Sequence, residues 1–100
     1  MENILTSLPP AVRPWFYRTS AGAEIDLVLE FGSKNIWAIE IKRSISNPVP
    51  SKGFYIGCTD LKVARQIVLY PGKESYRTDP KTEVMSLDRF VEELPTQARE

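Results

Sequence analysis

The amino-acid sequence predicts an α/β domain of the α+β type, in which a mixed central sheet is flanked by helices. Residues 22–30 and 36–42 alternate apolar and polar side chains around a short loop, a pattern typical of a β-hairpin. A helical pattern begins at Ser51, and an apolar strand, Gln66–Tyr70, follows it and ends before a Pro-Gly pair. Because a strand–helix–strand connection of this length returns parallel to its first strand, we expect both strand orientations in the sheet.

Local signals predict the remaining elements. They are a helix over residues 2–8, a strand over 15–18, a loop over 44–50, a loop or ragged hairpin over 73–81, a short strand over 83–86 and a final helix after Ser86. Ser51 and Ser86 are expected N-caps, because a serine hydroxyl accepts hydrogen bonds from the free amides of a helix start. The helix from Ser51 is expected to reach about Leu61. Pro9 should end the first helix and Pro95 the last, since proline lacks the amide hydrogen that a continuing helix needs.

Composition limits the classes of function. One hundred residues suffice for one domain with one modest core. Thirteen basic and thirteen acidic residues give a formal net charge of zero, which does not suit a strong, nonspecific nucleic-acid binder. The absence of histidine excludes histidine-based catalysis and metal ligation, and a single cysteine, Cys58, excludes an internal disulfide. A lone thiol fits a reducing cytoplasm, so we expect a cytoplasmic domain, and the sequence has neither a long apolar span nor a signal-peptide pattern.

The hairpin is expected to place acidic groups opposite one another. Its register pairs residues that share one apolar face: Leu29 with Trp37, Leu27 with Ile39 and Ile25 with Ile41. The same register sets Asp26 opposite Glu40, and Glu24 opposite Lys42. Opposed carboxylates repel unless a cation lies between them, and oxygen ligands suit Mg²⁺ or Mn²⁺. A solvated hairpin face that carries acidic residues and a lysine is the alternative interpretation of this pattern.

Asp26, followed by Glu40-Ile41-Lys42, resembles the D…E-x-K core of the restriction-endonuclease-like, PD-(D/E)XK, superfamily. The stretch 16–26, with its Tyr-Arg-Thr-x-x-Gly-x-Glu-x-Asp pattern, and the later residues 51–54 resemble the C-terminal domain of predicted prokaryotic AAA+ ATPases. That domain is of uncharacterised function, and the resemblance covers nearly the whole chain. It implies an αβββαβ core that follows a P-loop ATPase and a winged-helix segment. We therefore expect one nuclease-like domain over residues 1–100, cut from a longer ATPase, and without a GxxxxGK[ST] site of its own.

The resemblance implies roles for the acidic residues and the lysine. Asp26 and Glu40 would bind Mg²⁺ or Mn²⁺, and Lys42 would orient water or neutralise charge during cleavage of a DNA phosphodiester. Glu24 and Glu2 are further candidate metal ligands. For Glu24, a salt bridge with Lys42 is the favoured alternative.

Other residues are candidates for phosphate binding. Arg18 is one candidate, although it can equally pair with Glu30 or another surface acid. Lys52 is the second, because it begins a helix whose backbone amides favour anions. Cys58 is expected to be a small core residue. Four aromatic residues are expected in the core rather than in base stacking: Trp15, Trp37, Phe54 and Tyr55.

Two functional classes remain. The first is a metal-dependent nuclease module that acts on DNA phosphodiesters, which the combination of Asp26, Glu40 and Lys42 favours. The second is a catalytically silent nuclease fold that binds DNA or protein and regulates the attached ATPase, which the balanced charge favours. The expected partners are DNA, the ATPase and winged-helix regions upstream, and a second copy that binds through the apolar face of the first helix. No membrane partner is expected.

Overall fold

The structure is a computed structural model that describes residues 12–31, 35–44 and 49–98, with side chains described up to residue 93. The expected helix over residues 2–8, with Glu2 and its apolar face, lies outside these ranges. The strands are β1 (Arg13–Arg18), β2 (Glu24–Glu30), β3 (Ile36–Ile41), β4 (Arg65–Tyr70), β5 (Tyr76–Asp79) and β6 (Thr82–Ser86), and the helices are α1 (Lys52–Leu61) and α2 (Leu87–Ala98). This is a mixed α+β arrangement, as the sequence predicts.

The strands form one mixed sheet in the order β1-β2-β3-β4-β6-β5. β2 pairs with β1 and β3 in antiparallel orientation, β4 lies parallel to β3 and β6, and β5 is antiparallel to β6. Helix α1 therefore provides the crossover between the parallel strands β3 and β4, which confirms the expected connection. The polar segment over residues 73–81 contains β5, so the hairpin alternative for that segment is the one formed.

Side chains from the two faces of the sheet form separate clusters. One face carries the larger cluster, whose main members are Leu27, Leu29, Trp37, Ile39, Ile67, Leu69, Met85 and Phe90. Phe90 comes from α2 and is fully buried, so it anchors that helix to the sheet. The other face is covered by α1 through Phe54 and Cys58, which pack on Val28 and Ala38. Each large side chain buried in this way contributes about 1.5–3 kcal/mol to stability.

Strand β2 contains a β-bulge opposite Phe16. The register with β1 shifts between the pairs Trp15–Val28 and Tyr17–Ile25. Asp26 and Leu27 therefore both lie opposite the single residue Phe16. A bulge of this kind bends the strand and changes the direction of its side chains.

The bulge corrects one expectation about the hairpin. Ile25 packs with Val28 in the cluster under α1, whereas Leu27 and Leu29 belong to the cluster on the other face. A shared face for Ile25 with Leu27 and Leu29 was therefore wrong. The physical reason is that the extra residue in β2 reverses the alternation of side chains on either side of it.

Helix α1 begins and ends as expected. The Ser51 side chain is the N-cap and accepts a hydrogen bond from the Phe54 amide at 3.3 Å. Lys62, in the left-handed conformation with φ 54°, closes the helix after Leu61. The start of the helix lies close to the start of β2: a Cβ added to Gly53 would lie 2.7 Å from the carbonyl oxygen of Gly22, just before that strand, and 3.3 Å from the amide nitrogen of Glu24. This close approach fixes where the start of α1 lies relative to β2.

Helix α2 begins as expected but ends later. The Ser86 hydroxyl accepts a hydrogen bond from the Arg89 amide at 3.2 Å, which confirms this N-cap. The expected end at Pro95 is wrong, because the helix continues to Ala98. A proline removes one backbone hydrogen bond and strains the preceding turn, and a helix can continue past it with a kink. In the part of the chain that the structure describes, neither helix is long and apolar enough to cross a bilayer.

Candidate functional site

Two of the sequence-predicted acidic residues, Asp26 and Glu40, lie at the carboxyl end of β3. Glu40 and Ile41 are the last residues of that strand, and Asp26 reaches it from the bulge of β2. Ser51 reaches it from the start of α1. Three elements thus converge on two consecutive residues of one central strand.

Asp26 is bonded to the backbone of β3. Its Oδ2 accepts a hydrogen bond from the Ile41 amide at 2.9 Å. The backbone pairing of β2 with β3 runs only from Glu30–Ile36 to Leu27–Ile39. The Asp26 carboxylate therefore accepts a hydrogen bond from an amide of β3 that lies beyond the end of that pairing. On the other side of β3, the Lys42 amide bonds to the Leu69 carbonyl of β4. The side chain of Asp26 therefore extends the β2–β3 contact by one bond.

This geometry corrects the expected cross-strand pairs. The pairs Leu29–Trp37 and Leu27–Ile39 are confirmed. The pairs expected beyond them, Ile25–Ile41, Asp26–Glu40 and Glu24–Lys42, are not part of the register. The bulge in β2 separates the strands at this point, because it turns Asp26 toward the backbone of β3 instead of leaving it directly opposite Glu40.

Glu40 is buried, and each of its carboxylate oxygens accepts a hydrogen bond from Ser51. Its side chain lies in the interior, with 8% of the residue exposed. Oε2 accepts a hydrogen bond from the Ser51 amide at 2.9 Å, and Oε1 accepts one from the Ser51 hydroxyl at 2.7 Å. The carboxylate therefore lies at the N-terminus of α1, where the helix dipole favours negative charge.

The cations near these carboxylates differ from the expected pairs. Lys42 Nζ lies 3.9 Å from Glu40 Oε2, a long ion pair. Glu24 pairs instead with Arg18 at 3.6 Å, so the expected Glu24–Lys42 salt bridge was wrong. Both partners of the Arg18–Glu24 pair are largely exposed, and an exposed pair of this kind contributes roughly 0–1 kcal/mol.

The start of α1 is already occupied by a carboxylate. Lys52 is exposed at the first residue of the helix. The Ser51 amide and hydroxyl beside it are bonded to Glu40, so they are not free for an external anion. Binding of phosphate by Lys52 therefore stays a prediction that rests on its own charge.

Cys58 lies on the same side of the sheet as Glu40. Burial, with the negative charge of Glu40 as a second cause, raises the pKa of the Cys58 thiol to about 12. The thiol is therefore protonated at neutral pH and is not a nucleophile. Its place in the cluster under α1 confirms the expectation of a small core residue.

A cavity of about 540 Å³ lies beside Asp26. It is lined by Phe16, Tyr17, Arg18, Ile25, Asp26, Ile41 and Arg43. Sequence reasoning missed Phe16 and Arg43 as site residues. For Phe16 a signal existed, because alternation in a strand places it on the face opposite to Trp15 and Tyr17.

No group of three or more cysteine, aspartate or glutamate side chains lies within metal-binding reach among the described residues. The structure thus offers two carboxylates near one strand end rather than a complete cage of protein ligands.

The chain belongs to the family described as "Domain of unknown function (DUF4143)", which matches residues 1–90. It is similar to the "Uncharacterized protein Rv2008c" of Mycobacterium tuberculosis and the "Uncharacterized protein Mb2031c" of Mycobacterium bovis, at 29% identity over 92 residues in each case. The match covers 91% of this chain and 20% of each relative, so the chain spans a fifth of the length of these curated relatives. No solved structure matches the chain.

Proposed function

We propose that this domain is a metal-dependent nuclease module of the PD-(D/E)XK type, cleaving DNA phosphodiesters as the C-terminal part of a AAA+ ATPase. The observation that carries the proposal is the convergence of Asp26, Glu40 and Lys42 on the carboxyl end of β3. The strand order β1-β2-β3, followed by α1 and β4, agrees with the βββαβ part of the proposed restriction-endonuclease-like core.

The donor set fits a hard divalent cation. A carboxylate has about four lone-pair positions, so the bonds from Ile41 and Ser51 leave both Asp26 and Glu40 able to bind a cation. Mg²⁺ typically keeps several waters and takes one or two protein carboxylates together with substrate phosphate oxygens. When bound, the metal supplies an activated water and stabilises charge on the phosphate.

The chain's own residues have separate roles in this proposal. Lys42, near Glu40, neutralises negative charge that develops on the phosphate. Arg18 and Lys52 contact other phosphates of the strand. Since the net charge is zero, the upstream ATPase and winged-helix regions supply most of the affinity for DNA.

A second candidate function is a catalytically silent module that binds DNA or protein and regulates the ATPase. The observation that favours it is that both carboxylates already serve the fold. Asp26 holds the backbone of β3, and Glu40 holds the start of α1 through Ser51. In this alternative the acidic residues are retained because they join three elements of the fold.

Metal binding and cleavage distinguish the two functions. We expect millimolar Mg²⁺ or Mn²⁺ to raise the melting temperature of the chain, because a ligand at 100 times its Kd stabilises the folded state by about 2.7 kcal/mol. Asp26→Asn keeps an oxygen acceptor for the Ile41 amide but loses the charge, so it should abolish the gain. The same metal should support cleavage of circular DNA by the wild-type protein.

The control is Asp88→Asn, which changes an exposed aspartate at the start of α2. This variant should respond to metal as the wild type does. Equal melting temperatures with and without metal, together with uncut DNA, would exclude the nuclease and favour the regulatory module.

A further inference from the structure

We propose that the cavity beside Asp26 binds an unpaired nucleotide of a single-stranded nucleic acid, with Phe16 as the stacking platform and Arg18 and Arg43 as phosphate contacts. This inference rests on the proposed function, because Asp26 belongs both to the cavity and to the proposed metal site. It adds to that function the class of substrate and two residues, Phe16 and Arg43.

Phe16 is exposed where an aromatic side chain would normally be covered. Among the residues whose side chains are described, it is the most exposed large hydrophobic, at 74%. It lies on β1, an edge strand of the described sheet, opposite the bulge at Asp26 and Leu27. Single exposed hydrophobic residues are common, so exposure alone does not define a site.

The charges around Phe16 provide the second observation. Two arginines, Arg18 and Arg43, and one aspartate, Asp26, line the same cavity, so its lining carries one net positive charge before Glu24, the ion-pair partner of Arg18, is counted. Arg43 is exposed, and the exposed pair of Arg18 with Glu24 is weak enough to exchange for a phosphate. A guanidinium group matches the geometry of a phosphate oxygen pair.

Size and access favour an unpaired base over a duplex. A cavity of about 540 Å³ is within the usual range for small-molecule sites, so a nucleotide fits it. An aromatic ring can stack on a base only when the face of that base is uncovered, as it is in a single strand. Phe16, beside two arginines, provides both the ring and the charge that such a nucleotide needs.

The experiment measures binding without cleavage. Fluorescence anisotropy with a labelled oligothymidine single strand and with a duplex of equal length, both in EDTA, gives the two affinities. We expect tighter binding of the single strand, and Phe16→Leu should weaken it by about tenfold through loss of stacking. Arg43→Gln should weaken it and lower the salt slope by about 0.7, the value for one phosphate of a single strand.

Matched controls come from the opposite edge of the sheet and from α2. Tyr76 is also an exposed aromatic residue, at 41%, and lies on β5. Tyr76→Leu should leave the affinity unchanged, and so should Arg89→Gln, which changes an exposed arginine on α2. Circular dichroism should match the wild type for each of the four variants, which shows that a change of affinity is not a change of fold.

Two results would overturn the inference. One is equal affinity for duplex and single strand, and the other is no loss of affinity in Phe16→Leu. A change of oligomeric state in Phe16→Leu without loss of nucleic-acid binding would assign this surface to a second protein chain instead. The binding assay contains no metal, so a failure to bind would not contradict the proposed metal-dependent cleavage. Absence of cleavage would likewise not contradict the single-strand site.

Discussion

The buried carboxylate of Glu40 accepts two hydrogen bonds from one residue, Ser51. Removing a charge from water costs several kcal/mol unless hydrogen bonds and opposite charge replace the lost hydration. Ser51 supplies two bonds, the start of α1 supplies its dipole, and Lys42 supplies a distant cation. The Ser51 hydroxyl also caps α1 by accepting a bond from Phe54. One hydroxyl group thus links the candidate site to the helix.

Ser51→Ala tests this double role. It removes the bond to Glu40 and the cap of α1, but keeps the backbone amide bond. We expect a loss of about 2.5–4 kcal/mol in the free energy of unfolding, since a cap contributes about 1 kcal/mol and a bond to a charged group about 1.5–3 kcal/mol. Urea unfolding measures it. Ser86→Ala removes only the cap of α2 and should cost about 1 kcal/mol. Equal losses in both variants would mean that the bond to Glu40 contributes nothing.

At the scale of the elements, a charged network joins β4, β6 and α2. The Arg65 guanidinium donates to Glu83 at 2.9 and 2.8 Å, and to Glu93 at 2.7 Å. It also lies over the ring of Trp37, at 4.2 Å from the centroid. These contacts are near the amino ends of β3 and β4, whereas Glu40 is at the carboxyl end. The network therefore secures the end of the sheet that is remote from the candidate site.

The network should make stability depend on pH. Hydrogen bonds from Arg65 hold the pKa of Glu83 below its ordinary value. Because the folded pKa is the lower one, the stabilisation is complete above the unfolded pKa of about 4.3 and decreases as pH falls through the folded pKa. Glu83→Gln should therefore reduce the loss of stability on acidification below about pH 4.3. Melting temperatures from pH 7 to pH 2 measure this slope.

Glu92→Gln provides the comparison, because Glu92 is an exposed residue of α2. Its acid profile should follow the wild type. If Glu83→Gln and the wild type lost stability equally on acidification, the pair of Glu83 with Arg65 would not contribute to the acid response.

The elements were more predictable from the sequence than the details of the site. Period-two alternation and serine caps are local signals, and they gave β2, β3, α1 and the parallel return of β4. The bulge at Asp26 depends on how β1 aligns with β2, and the alternation of side chains within one strand does not specify that alignment. The run Leu27-Val28-Leu29 breaks strict alternation and was the available hint. The bond from Ser51 to Glu40 likewise depends on the placement of α1, which the close approach at Gly53 determines.

For the whole molecule, the parallel strands place the candidate site at one end of the sheet. β3, β4 and β6 run in the same direction, so their carboxyl ends lie at the same end of the sheet. Glu40, Lys42 and the start of α2 are found at that end. Ligands of open sheets that contain parallel strands generally bind outside the carboxyl ends of those strands. The network of Arg65 lies at the amino ends of these strands and the candidate site at their carboxyl ends. A substitution in the network can therefore leave the candidate site unchanged.

The net charge of zero leads to a prediction about Lys42. A neutral domain gains little affinity for a polyanion from any single lysine, so Lys42→Ala should lower DNA affinity only a few-fold. If Lys42 neutralises charge that develops during cleavage, the same change should lower turnover by about 10²–10³-fold. Single-turnover cleavage of DNA in Mg²⁺ and anisotropy in EDTA separate the two quantities.

The control is Lys73→Ala, at an exposed lysine beyond β4, which should change neither DNA affinity nor turnover. Parallel losses of affinity and turnover in Lys42→Ala would make Lys42 a binding residue, and cleavage unaffected by the change would remove it from the proposed site.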